Sequence, residues 1–138
     1  MMPQRNLVLI LARDLADKLS TPVFVVDHEG TLVYFNEPCE KVLGMSFAEA
    51  GTMRQNEWAT AFYPSDLEDR PLSSSEIPLV RALRERQPVH LVLRIRSADD
   101  QARDIAATAL PLFAEEGQLV GGIAVFWDHD AATGGTEE

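Results

Sequence analysis

The chain has 138 residues, 46% of them hydrophobic and 25% charged, which suits one globular domain with a single core and leaves too little for two. Against 12 Lys and Arg stand 22 Asp and Glu, and the formal net charge of −10 opposes a phosphate backbone or an anionic membrane surface, so neither nucleic acid nor membrane is an expected partner. The one cysteine, Cys39, has no second thiol for a disulfide, and the apolar run Leu7 to Ala12 is too short to span a bilayer and has no cleavage site behind it, so a cytoplasmic location is expected.

In chain order, Leu7, Leu11, Leu15 and Leu19 recur every fourth residue, Val8, Ile10 and Ala12 widen the stripe, and Asp14 and Lys18 form an i,i+4 pair. Residues 1–20 are therefore expected to hold an amphipathic helix, stopped by Ser20, Thr21 and Pro22. The stripe is more apolar than one side of a small sheet needs for cover. The spare face, with Leu7, Val8, Leu11, Leu15 and Leu19, should pair with a second copy in a two-fold dimer.

Val23 to Asp27 and Thr31 to Phe35 read as a hairpin turned through His28, Glu29 and Gly30. Asn36 caps a short helix that Gly44 ends. From Met45 to Arg70 the periodicity is poor, and short helices and loops carrying Trp58, Phe62 and Tyr63 are expected. Ser73 to Glu76 has the capping-box form, with Ile77, Val80 and Leu83 continuing a helix to Arg86. Val89 to Arg96, Arg103 to Phe113 and Leu119 to Trp127 are three strand-like runs separated by turns at Asp99-Asp100 and Glu115 to Gly117. In the first of them Val89, Leu91, Leu93 and Ile95 alternate with His90, Val92, Arg94 and Arg96, as in a sheet with one drier face. Gly121 and Gly122 mark a bulge or a close backbone approach.

This order gives an α+β class: a five-stranded antiparallel sheet with helices on one face, its first strand beside its last, over residues 21–130. Residues 131–138 read as a flexible acidic tail.

The run from Pro22 through Asp27, Gly30 and Asn36 resembles the opening of a PAS domain, in which a strand ends in Asp, turns through Gly and returns to an Asn that starts a helix. Glu37 to Gly44 resembles the next helix of that family, Ser75 to Leu83 its long central helix, and Val125 to Asp128 its final strand. The resemblance implies a PAS-like fold and a sensory, dimerising module of bacterial-type signal transduction, with an output domain or partner signalling protein, rather than an enzyme. Haem-binding members carry a His on the central helix, and there is none between Ser74 and Arg86. The light-sensing flavin branch uses an Asn-Cys-Arg-Phe-like sequence on a later helix, which Cys39-Glu40-Lys41-Val42 does not match. Haem and a photoactive flavin are both disfavoured.

The residues themselves offer a pocket more readily than a reaction. A cavity between sheet and helices is expected from Phe35, Cys39, Val42, Leu43, Trp58, Phe62, Tyr63, Ile77, Val80, Leu91 and Leu93, open to a small apolar ligand, although aromatics in so small a domain also serve simply as packing. Asn36 is read as a backbone cap and Asp27 as an acceptor of turn amides. His28, His90 and His129 lack ligand partners at metal spacing, so no metal site is expected. No nucleophile with a base, carboxylate pair or Gly-rich phosphate loop stands out. Two other functions compete: a ligand-free interaction domain of the same family, and a small cone-shaped isomerase, which expects a buried Asp or Tyr pair in its pocket, Asp27 and Asp104 both lying near strand ends.

Overall fold

The computed structural model describes residues 4–129; the tail expected at 131–138 lies outside the described residues. Helix α1 (Gln4–Lys18) leads into strands β1 (Val23–Asp27) and β2 (Leu32–Phe35), followed by helices α2 (Glu37–Leu43), α3 (Phe47–Ala50), α4 (Gln55–Ala61) and α5 (Pro78–Glu85). Strands β3 (Val89–Arg96), β4 (Ala102–Phe113) and β5 (Leu119–Asp128) complete the chain. The sheet has the order β2-β1-β5-β4-β3 with every neighbour antiparallel, so the first strand does lie beside the last.

Local chemistry explains the boundaries. The Asp27 carboxylate accepts from the amides of Glu29 and Thr31 at 2.9 and 3.0 Å, and Gly30 at φ 84° supplies the left-handed residue that closes the hairpin. One boundary differs from the sequence reading. Ser73 and Glu76 do form a capping box, but it closes a single tight helical turn, Ser74–Glu76, and α5 begins afresh at Pro78. Proline holds the residue before it extended, here Ile77 at φ −71° and ψ 132°, while its own fixed φ suits a first helical position.

Side chains on the sheet alternate between two dry faces. Phe24, Phe35, Leu93, Ile105, Ala107 and Phe126 pack with the apolar sides of α2, α4 and α5 in the larger core. On the opposite face Val23, Val25 and Ile123 meet Ala12 and Ala16 of α1. The docked side of α1 is thus its alanines with the partly buried Leu9, and the leucine stripe points away: Leu7, Ile10, Leu11 and Leu15 are each between 44% and 57% exposed. Alanine lets the helix backbone come close to the sheet, which a leucine seam would prevent.

The adjacent glycines of β5 serve this two-sided packing. A Cβ on Gly121 would lie 2.3 Å from the Val26 carbonyl and 2.8 Å from Leu9 of α1, and one on Gly122 would lie 2.9 Å from Leu79 and 3.1 Å from Leu83 of α5. Because the first clash involves rigid backbone and the second only leucine ends, Gly121→Ala is expected to destabilise the chain by about 2–3 kcal/mol and Gly122→Ala by about 1 kcal/mol. Urea unfolding of the two variants checks the order.

One segment closes both sides of the sheet. At one edge Leu32 of β2 donates to the Met53 carbonyl at 2.7 Å; at the other, Ser65 and Arg94 of β3 exchange amide bonds at 2.8 Å and Arg96 donates to the Phe62 carbonyl at 2.7 Å. Between these anchor points run α4 and its aromatic residues.

Candidate functional site

Two features concentrate the chemistry: a buried asparagine at the junction of three elements, and an apolar cavity in the larger core.

Asn36 is 1% exposed and spends its whole side chain on backbone. Its Oδ1 accepts from the amides of Val23 at 3.0 Å and Cys39 at 3.1 Å, and its Nδ2 donates to the carbonyls of Ala16 at 2.8 Å and Thr21 at 2.9 Å. The residue caps α2, as its position between strand and helix implied, but it also ties the end of α1 to the start of β1. That second role has no local sequence signature, because its partners lie 13 to 20 residues upstream. Tyr34 adds to the attachment: its hydroxyl donates to Asp17 at 2.8 Å and the Arg13 guanidinium lies 4.8 Å from its ring centre. Partial burial and the Asp17 carboxylate push the Tyr34 phenol up to about 12.

The cavity, about 100 Å³, lies between the sheet and helices α4 and α5. Its floor is Phe24, Leu93, Ile95, Ile105, Ala107, Ala124 and Phe126; its roof is Trp58, Ala59, Phe62 and Pro64 on one side and Ile77 to Leu79 on the other, with Leu43 at one end. The Trp58 indole N–H, the polar group of this lining, donates to the Gly30 carbonyl at 2.7 Å, and its ring meets Phe24 edge-on at 5.2 Å. A site of this kind offers dispersion and shape and no charge.

Of the residues expected around a cavity, Leu43, Trp58, Phe62, Ile77 and Leu93 are brought together on its wall. Phe35, Cys39 and Val42 are buried in the same core without lining it, and Leu91 packs at its margin. Two expectations need correction. Tyr63 is 71% exposed, because the chain turns there through a left-handed φ of 49°. Val80 is buried in the same core but lines a separate cleft under the β1–β2 turn, since α5 begins later than the capping box suggested and Ile77 to Leu79 take the cavity side. The floor residues Ile105, Ala107, Ala124 and Phe126 were missed, yet the alternation noticed in β3 extends to them through the pairs Leu93↔Ile105 and Ala107↔Phe126.

The carboxylates named as possible pocket acids lie elsewhere. Asp27 fastens the hairpin, and Asp104 binds Arg94 at 2.7 and 3.2 Å, which holds its carboxyl below the usual range. Among the described residues no cluster of three His, Cys, Asp or Glu groups could hold a metal ion, and no helix is long and apolar enough to cross a membrane.

Cys39 is fully buried on α2, and desolvation, with the nearby Glu40 carboxylate, pushes its thiol well above the ordinary value. A folded pKa raised above the unfolded one contributes stability below the unfolded value, near pH 9, that is lost as pH rises through the folded value. Thiol reagents at neutral pH are therefore expected to modify Cys39 only as fast as the chain opens, and stability should begin to decline above about pH 9 in the parent but only above about pH 10, where the raised Tyr34 phenol takes over, in Cys39→Ala. Titration with a chromogenic disulfide and alkaline melting curves measure the two effects.

Comparison with known proteins agrees with this architecture. The family model described as PAS fold matches residues 16–132. The PAS domain of a Colwellia psychrerythraea protein superposes with a TM-score of 0.63 at 18% identity, covering 88% of this chain and 97% of that one. The PAS domain of Bordetella pertussis BvgS gives 0.57 at 19% identity over 91% and 89% of the two chains, and a Rhodobacter sphaeroides LOV protein gives 0.69 at 15% over 94% and 70%. No curated protein matches the sequence. With its model matched from the end of α1 to beyond β5, and with the sheet order and flanking helices described above, the chain belongs to the PAS fold family, whose members are typically sensory signalling modules without enzymatic activity.

Proposed function

We propose that this chain is the sensory and dimerising module of a cytoplasmic, bacterial-type signal-transduction protein, and that it acts by binding and not by catalysis. A small apolar molecule occupies the cavity between sheet and helices, and its presence alters how two copies pair through α1, which an output domain or partner protein reads. The observation that carries this is the wall chemistry: the cavity is lined by carbon, its one indole N–H is already bonded to the Gly30 carbonyl, and no lining side chain is charged. Apolar cavities of about this size stay dry and take up molecules such as benzene or xenon. Haem and flavin are larger than the space as it stands.

The small volume also favours a second reading, a packed PAS domain that only dimerises. Benzene added to isotope-labelled protein separates the two. The first reading expects saturable NMR shifts at Trp58, Leu93 and Ala107, removed by the cavity-filling change Ala107→Leu while the sedimentation of the chain is unaltered. Shifts that persist in Ala107→Leu would place the ligand elsewhere, and no shifts at all would leave the dimerising reading.

A further inference from the structure

We propose a second binding site, outside the core cavity, for a small amphiphile bearing a carboxylate. It is the cleft of about 270 Å³ between the β1–β2 turn and α5, and it shares no lining residue with the core cavity.

Three observations converge on it. The floor is apolar, formed by Val80, Leu83 and Leu119. Above it stands Arg84, whose guanidinium has no acid or carbonyl partner among the described residues, while the other cations on α5 and the sheet are engaged: Arg81 with Glu85, Arg94 with Asp69 and Asp104, Arg96 with Asp100, Arg103 with Asp128. An unpaired guanidinium among 22 acidic residues is a directed anion receptor, because its fork of donors matches a carboxylate. The third observation is Gln55 at the start of α4, which contributes an amide without a hydrogen-bond partner among the described residues and lies close to Gly30, where a Cβ would collide with its Oε1.

The frame is preformed. Asp27 fixes the turn that carries His28 and Glu29, and Leu83 of α5 rests on Gly122 of β5. Little ordering cost therefore opposes binding. Glu29 is the one acid of the lining, and its carboxylate lies 3.9 Å from His28 Nε2. A cationic amphiphile is the competitor this acid would favour, and Arg84 opposes it.

The test is NMR titration of the labelled full chain with sodium hexanoate, with hexanol and hexylammonium chloride as neutral and cationic matches. Hexanoate is expected to give saturable shifts at residues 28–30, 55, 83–84 and 119, at least tenfold tighter than either match. Arg84 is exposed, so Arg84→Gln should fold as the parent does and bind hexanoate at least tenfold more weakly, with partial recovery in Arg84→Lys. The site is overturned if hexanoate gives no shifts, binds Arg84→Gln as tightly as the parent, or binds more weakly than hexylammonium. Shifts confined to Trp58, Leu93 and Ala107 also overturn it, and would assign the aliphatic tail to the core cavity.

Discussion

Asn36→Ala is expected to cost about 3–5 kcal/mol, a large share of the roughly 5–15 kcal/mol that holds a typical domain together. The change takes the side-chain partner from the Val23 and Cys39 amides and the Thr21 carbonyl, while the Ala16 carbonyl keeps the Leu19 amide at 3.2 Å; each unsatisfied buried group costs about 1–3 kcal/mol, with partial recovery where water reaches the Thr21 carbonyl. Thermal unfolding should fall by on the order of 10 °C. Asn36→Asp divides the effect, since its carboxylate still accepts from Val23 and Cys39 but cannot donate to Ala16 and Thr21. That variant should keep the α2 cap and lose the hold on α1, which limited proteolysis near residues 18–22 would detect. Equal stability of Asn36→Ala and the parent would refute the role given to this residue.

The second large effect concerns association. Leu11 and Leu15 are 57% and 55% exposed, on the side of α1 away from the sheet, so replacing both by Asp should not unfold the chain. If that side is the seam of a two-fold dimer, burying a charge in place of each leucine removes about 2 kcal/mol or more per site, together roughly a thousandfold in dissociation constant. Sedimentation at micromolar concentration should then show a dimer for the parent and a monomer for Leu11→Asp with Leu15→Asp. A monomeric parent would end the proposal.

Much of the fold was legible because each device in it is local. The Asp27 to Gly30 turn, the Asn36 cap, the Gly44 stop and the alternation of β3 all act within a few residues, and all are found where the sequence put them. The start of α5 was displaced because two start signals, the Ser73 box and Pro78, stand five residues apart and a sequence does not say which opens the longer helix. The cavity was only half legible. Its floor depends on which face of β4 and β5 points toward the helices, a matter of cross-strand register, and its roof on an aperiodic segment where Trp58 turns inward and Tyr63 outward. For α1 the leucines drew attention to themselves, whereas the contact with the sheet is made by Ala12 and Ala16, whose smallness is the reason they fit.

The strap from Met53 to Ser65 carries a consequence for solubility. It roofs the cavity and at its two ends occupies the open hydrogen-bonding edges of β2 and β3, so a motion large enough to lift the roof also uncovers backbone that another sheet can join. Were the proposed ligand to enter beneath the strap, its admission and the first step of strand-to-strand polymerisation would share one opening. On the function proposed above, a molecule that fills the cavity and holds the strap down would lower the population of that open form, and in doing so would protect the domain against aggregation.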